Sequence, residues 1–352
     1  MKNILVVDDS ALMRRVICDI INTDSSFQAK DVCRNGLEAY ERLKTTSYDA
    51  VILDVNMPKM DGLELLEQLQ KDKIKATVIM VSTLTKKDAA VTMLAMERGA
   101  VDFVEKPMNI MDARCDGFQN DLLRILHAVL EQSDVKAETE VPIRTGQASA
   151  PTSKARATGD NKLVALACST GGPKALQSVI PYLPKNLNAP VVLVQHMPAG
   201  FTRSMAERLD ELSEISVKEA EDGEVVKKGT VYIAPGGKHM LVKKAEGAGH
   251  RISLSDAPAI GGLRPCANVT YESLQECDYD EVVCVVLTGM GADGTQGITT
   301  LKKHKPIYTI AQDAKSCVVY GMPKAIANAG IVDEVVTLTD VARSITKNVG
   351  VR

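Results

Sequence analysis

A hydroxyl between an apolar run and paired glycines, a histidine closing a second apolar run, and an aspartate in the glycine turn after a third could together carry out nucleophilic acyl transfer. Here they are Ser169 in "ALACSTGGP", His196 in "VVLVQHMP" and Asp293 in "VVCVVLTGMGADGTQG". A serine attacks a carbonyl only when a base takes its proton, and the base works best when a carboxylate holds its ring. Taken singly, each residue has an ordinary explanation: a turn serine, a structural histidine, a helix-capping aspartate. His239 follows "APGGK", His250 lies in a Gly-rich polar stretch and His304 follows two lysines near a helix end. Only His196 shares with Ser169 the carboxyl end of a strand, and three strand ends bearing Ser, His and Asp point to a triad. Gly171 and Gly172 permit a sharp strand-to-helix turn, and Pro173 suits the first turn of the helix. Amides at that helix start, Gly171 among them, and the amide of Met290 between Gly289 and Gly291 are candidate oxyanion donors. The string Ala167-Cys168-Ser169-Thr170-Gly171 lacks the first glycine of a G-x-S-x-G elbow. The order Ser, His, Asp also differs from that of α/β-hydrolases, so that fold is not expected.

A second constellation occupies the first half. Asp8 and Asp9 end the run "ILVVDD", Asp54 ends "DAVILD", Ser82 ends "TVIMVS" and Lys106 follows "VDFVE". Carboxyl ends of parallel strands share one rim, so these groups converge. Three adjacent carboxylates repel one another, and a hard divalent cation such as Mg2+ relieves the repulsion, with a backbone carbonyl and waters completing an octahedron. A carboxylate so placed can attack phosphorus and become an aspartyl phosphate. Ser82 and Lys106 are then expected to bind the phosphoryl oxygens. Any one of these aspartates alone is an ordinary turn former.

Both constellations need sheets to position them. Each half alternates β-branched runs with amphipathic stretches, which predicts α/β architecture: an N-terminal doubly wound (βα)5 domain over 1–130 and a C-terminal α/β/α, mostly parallel-sheet domain over 161–352. "VYIAPGGKHMLVKK" followed by "RISLSD" reads as a local antiparallel excursion. Residues 131–160, rich in Ala, Thr, Ser and charge, read as a flexible linker. The 352 residues exceed what one core usually covers. A net charge of -3 gives no strong pull toward nucleic acid or anionic lipid. The eight cysteines form no CxxC pair and read as small buried hydrophobes of a reducing compartment. No apolar run has the length of a membrane helix, so a cytoplasmic protein without membrane insertion is expected. "STGGP" lacks the G-x-G-x-x-G spacing of a nicotinamide-dependent dehydrogenase, and the second half is too long and strand-rich for a simple helix-turn-helix output.

The strings "ILVVDDS", "VILDVNMPKMDG", "VIMVS" and "DFVEKP" resemble the landmarks of two-component receiver domains. That resemblance implies phosphorylation of Asp54 by a histidine kinase, Mg2+ held by Asp8, Asp9, Asp54 and the backbone of Asn56, switch roles for Ser82 and Lys106, and a Lys106–Pro107 bond that is often cis. The second half, with "CSTGGP", "QHMPAGFT", "APGG" before His239, "RPCANVTYESL", "TGMGADG" and "QDAKSCVVYGMP", resembles the chemotaxis protein-glutamate methylesterases, the CheB family. The resemblance implies that Ser169, His196 and Asp293 are catalytic and that Thr170 and Met290 assist. It implies hydrolysis of γ-glutamyl methyl esters on chemoreceptors, deamidation of some receptor glutamines, and no cofactor for that step. It also implies that the unphosphorylated receiver covers the catalytic rim and that phosphorylation loosens it. Ala167-Cys168 and Ser316-Cys317 depart from the family's usual residues without removing a reacting group. A different reading of the same chain is a receptor- or kinase-binding regulator with little or no esterase activity.

Overall fold

The protein is described by a computed structural model covering residues 1–83, 85–107, 116–135, 159–245, 247 and 249–352. It divides into two compact units, Met1–Leu130 and Glu131–Arg352.

The first unit is a parallel sheet of five strands, β1 (Lys2–Val7), β2 (Phe27–Cys33), β3 (Ala50–Asp54), β4 (Val78–Ser82) and β5 (Asp102–Glu105), in the order β2-β1-β3-β4-β5. Every residue of β3 and β4 is buried, as expected of central parallel strands covered on both faces. The helices are α1 (Ala11–Asn22), α2 (Gly36–Leu43), α3 (Gly62–Lys71), α4 (Lys86–Glu97) and α5 (Asp116–Val135). In α1, Met13, Val16, Ile17, Ile20 and Ile21 recur at helical spacing and are buried. Ser10 caps this helix through the Met13 amide, and Asp61 with Glu64 closes a capping box on α3. One core joins Ile4, Ile52 and Ile79 of the sheet to Ile17 of α1 and Leu122 and Leu126 of α5.

Helix α5 runs on to Val135, past the start of the segment expected to be linker, since each added residue gains a backbone hydrogen bond once a helix is nucleated. The rest of that segment, 136–158, lies outside the described residues. The cis peptide bond among the described residues is Arg264–Pro265, so Lys106–Pro107 does not meet the expectation of a cis bond.

The second unit has a seven-stranded sheet, order β14-β13-β12-β6-β7-β9-β8, and a separate two-stranded one. Its strands are β6 (Lys162–Cys168), β7 (Val191–Gln195), β8 (Ser216–Glu219), β9 (Thr230–Ile233), β10 (His239–Lys244), β11 (His250–Ser255), β12 (Glu281–Val286), β13 (Ile307–Gln312) and β14 (Glu334–Val336). All pairings of the large sheet are parallel, and β10–β11 is the antiparallel excursion. The helices are α6 (Gly172–Gln177), α7 (Phe201–Leu212), α8 (Ala267–Ser273), α9 (Thr295–Leu301), α10 (Met322–Asn328) and α11 (Val341–Val349). The first strand in sequence, β6, lies between β7 and β12, so the chain winds outward in both directions from it. Such a reversal opens a crevice beyond the strands' carboxyl ends.

Helix α8 is pinned beneath that rim. The Tyr271 ring is fully buried, and its hydroxyl donates to the carbonyls of Ala165 in β6 and Val285 in β12, at 3.1 and 3.2 Å. α9 packs on α8 through Gly297, where a Cβ would stand 2.7 Å from the Asn268 carbonyl oxygen. Gly297→Ala is therefore expected to destabilise the second unit by about 1–3 kcal/mol through overpacking. A denaturant titration with an unchanged midpoint would show that the helix pair can spread at no cost.

Candidate active site

Ser169 follows the last residue of β6. Its amide donates to the Thr288 carbonyl at 3.0 Å, and its own carbonyl accepts the Gly172 amide at 2.6 Å. The turn beyond it uses a left-handed Gly171, φ +76°, where a Cβ would also sit 2.6 Å from Val318 Cβ. On the other side the turn after β12 presses on the serine. A Cβ on Gly289 would meet Ser169 Cβ at 2.8 Å and Met322 Sδ at 2.4 Å, so that position requires glycine on packing grounds alone.

His196 follows the last residue of β7. Cys168 and Gln195 are partners across the β6–β7 ladder, so Ser169 and His196 are the next residues on adjacent strands. Gln195, which no motif singles out, holds these two segments together. Its buried side-chain amide donates to the carbonyls of both Ser169 and His196, each at 3.1 Å, and its oxygen accepts from Cys168 Sγ at 3.0 Å. The signal was there: Gln195 is the one polar residue in the otherwise apolar "VVLVQ". Gly172 is small for the same reason, since a Cβ would stand 1.9 Å from Gln195 Oε1.

The ring of His196 bonds through Nε2 to Asp293 Oδ2 at 2.7 Å. This leaves Nδ1 as the nitrogen able to take a proton. Among the described residues Ser169 Oγ has no hydrogen-bond partner, and contacts of this kind often tighten only around substrate. Asp293 itself is 8% exposed. Besides His196, its Oδ2 accepts the Ala267 amide at 2.6 Å, and its Oδ1 accepts the amides of Asn268 and Gly294 at 3.0 and 2.9 Å and Cys266 Sγ at 3.2 Å. Burial alone would raise the carboxyl's pKa, but the bond and charge of His196 with the Ala267 and Asn268 amides outweigh it and bring it down to about 2.

Three amides stand open around Ser169. Among the described residues, those of Thr170, Gly171 and Met290 donate to no protein acceptor, whereas Gly289 is committed to the Val319 carbonyl at 3.0 Å. The turn carrying Met290 is fixed by Thr288, whose amide donates to Gln312 Oε1 and whose hydroxyl donates to the Thr170 carbonyl. Two other histidines of this unit are engaged elsewhere. His239 contacts the Pro258 carbonyl through Nε2, and His250 accepts the Asp278 amide and stacks on Tyr279.

In the first unit, carboxylate oxygens of Asp8, Asp9 and Asp54 all lie within 4.8 Å of one another. Lys106 Nζ reaches Asp8 at 2.8 Å and Asp54 at 3.0 Å. Burial pushes Asp54 up to about 6 despite Lys106, with Asp8 adding to the rise. This acceptor-only set of oxygens fits a hard divalent cation. Asn56 turns its side chain away to Asp88 at 2.8 Å, and its carbonyl accepts no hydrogen bond among the described residues. Ser82 is at the rim, but its hydroxyl accepts from Thr92 at 2.8 Å and reaches the Thr83 carbonyl at 3.4 Å, so no bond ties it to the carboxylates.

The state of Asp293 makes stability depend on pH. Its folded pKa of about 2 lies below the ordinary 3.8, so between these values the unfolded chain binds more protons. The stabilisation is whole above the ordinary value and is lost as pH falls toward 2, a loss of about 2 kcal/mol for such a shift. Urea midpoints measured from pH 5 to pH 2 are expected to fall less steeply for Asp293→Asn than for the parent. Parallel curves would remove this carboxylate from the acid response.

The CheB methylesterase family model matches residues 164–345, and the response regulator receiver domain model matches residues 4–114. The chain is 42% identical over 348 residues to the protein-glutamate methylesterase/protein-glutamine glutaminase of Geobacillus kaustophilus (strain HTA426), covering 99% of this chain and 98% of that protein. It is 40% identical over 352 residues to the Bacillus subtilis (strain 168) protein of the same name, covering 98% of each. Among solved structures, the Thermotoga maritima CheB methylesterase catalytic domain is 44% identical and superposes with a TM-score of 0.51, over 53% of this chain and 98% of that one. No helix among the described residues is long and apolar enough to cross a membrane. With both halves matched and relatives alike along nearly their full length, this chain belongs to the CheB methylesterase family, with a receiver domain preceding the catalytic domain.

Proposed function

We propose that this protein hydrolyses glutamate γ-methyl esters on chemoreceptors, and deamidates receptor glutamines, under control of phosphorylation at Asp54. The observation that carries the reading is the His196–Asp293 pair, 2.7 Å apart at the strand end adjoining Ser169. Ser169 Oγ attacks the ester carbonyl while His196 takes its proton at Nδ1. The tetrahedral oxyanion is held by amides among Thr170, Gly171 and Met290. Collapse breaks the bond to methoxide, which leaves as methanol with the proton from His196, and Ser169 carries the acyl group. Water then attacks with His196 again as base, releasing the glutamate side chain and restoring the serine. Asp293 keeps its charge and stabilises the imidazolium.

In the receiver, Asp8, Asp9, Asp54 and the Asn56 carbonyl would hold Mg2+, which lessens the negative charge opposing a phosphoryl group. Asp54 is the phosphoacceptor, with a chemotaxis histidine kinase as donor. Lys106 pairs with the phosphoryl oxygens, and Ser82 joins them after leaving Thr92. The phosphorylated receiver releases a restraint on the catalytic domain. Receptors and kinase meet the protein in the cytoplasm, and neither nucleic acid nor membrane insertion has a part.

The test is methanol release from methylated receptor membranes, with and without acetyl phosphate and Mg2+. The parent is expected to release methanol faster when phosphorylated. Ser169→Ala is expected to lose at least about 10³-fold in kcat, while Asp54→Asn should keep basal release and lose the response. A parent that releases no methanol from several receptor types would replace the esterase with a binding regulator. A Ser169→Ala variant of parental activity would displace the serine as nucleophile.

A further inference from the structure

The carboxylate of Asp293 has one neighbour that no step above uses. Cys266 immediately precedes α8, is 1% exposed, and places Sγ 3.2 Å from Asp293 Oδ1. The other partners of that oxygen, the amides of Asn268 and Gly294, belong to the backbone. Cys266 is therefore the only side-chain donor to Oδ1 among the described residues, and the one contact there that a substitution can remove without rebuilding the chain path.

The thiol can only donate in this setting. Burial, with the charge of Asp293 adding to it, pushes Cys266 up to about 11, so it keeps its proton around neutral pH. A carboxylate accepts no proton from it but gains a charge-assisted hydrogen bond. Two titratable groups besides Cys266 bear on Asp293: His196 from the end of β7, and Tyr271 within α8. The Tyr271 hydroxyl is taken up by the Ala165 and Val285 carbonyls, and burial holds it far above neutral pH, so it stays protonated. The charge on Asp293 thus acts on one titrating partner, His196, and the strength of that action depends on how well the far oxygen is satisfied.

We propose that Cys266 is a positioning residue of the esterase site: its S–H restrains the basicity of Asp293 and keeps Oδ2, not Oδ1, turned toward His196. This rests on the triad reading above. Removing the donor makes the carboxylate more basic and binds the imidazolium more tightly. His196 then stays protonated to higher pH and is a poorer base below it.

The experiment is the pH profile of kcat/KM for methanol release by the full-length phosphorylated protein, in the parent, Cys266→Ala, Cys266→Val and Cys266→Ser, with a thermal melt of each. The acid limb is expected to move up by about half a pH unit in both the Ala and Val variants, so that kcat/KM on that limb falls by up to about threefold with KM unchanged. Cys266→Ser, which restores a donor, should bring the limb back to the parental position or below it. An acid limb identical in parent, Ala and Val variants would overturn the proposal and leave Cys266 as packing. If the Ala variant fails to fold, the Val variant, which keeps the bulk without the donor, decides alone. If neither folds, a Ser limb above the parent's overturns the proposal, and one at or below it supports it. A parent that releases no methanol defeats the triad reading itself, and this inference with it. An active parent with an unmoved limb defeats the inference alone.

Discussion

An ionised carboxylate withdrawn from water costs several kcal/mol unless donors replace the lost hydration. Asp293 meets this condition with five partners, and much of the catalytic rim can be understood as the means of assembling them. The start of α8 supplies two amides and a thiol. Asn268 also ties down the next turn, accepting the amides of Gly294 and Gly297 on its side-chain oxygen at 3.1 and 2.7 Å. Tyr271 fastens the same helix to two central strands, and Gly297 lets α9 approach it. The fifth partner is the imidazole. A fully satisfied network of this kind has one arrangement, and a base held by it has one orientation.

The receiver meets the opposite electrostatic problem with opposite means. Its carboxylates are crowded together and left short of donors, apart from Lys106 and a few amides such as Val55 on Asp54 and Ser10 on Asp8. Burial therefore prevails at Asp54 and raises its pKa, where at Asp293 the donors prevail and lower it. One carboxylate is kept charged as a fixed support. The other is kept costly to ionise.

What could be read from the chain follows from how local each cause is. The apolar runs of β6, β7 and β12 announce themselves because central parallel strands are buried on both faces. Their carboxyl ends then bring Ser169, His196 and Asp293 into consideration without any structure. Strands β8 "SVKE" and β14 "EVV" carry no such signal, being short and half-exposed at the sheet edges. Gln195 was passed over because its acceptors are carbonyls delivered by two chain segments. Ser82 was placed at the right strand end, but its partner Thr92 comes from α4, and no spacing rule indicates that bond. Nor does residue order indicate that His196 meets Asp293 through Nε2 rather than Nδ1.

Strand β6 is made early in synthesis of the catalytic domain, yet its partner β12 pairs Glu281 with Lys162 across more than half of that domain. The turn after β12 is in turn fastened to Val319, still further along. Long-range parallel pairings are slow to form, because the chain must lose its loop entropy before the contact returns anything. A nascent chain that has already exposed Ser169 and His196 has neither the carboxylate nor the Met290 amide. Ser169, His196 and Asp293 are therefore brought together only late, after the receiver's whole sequence has been made.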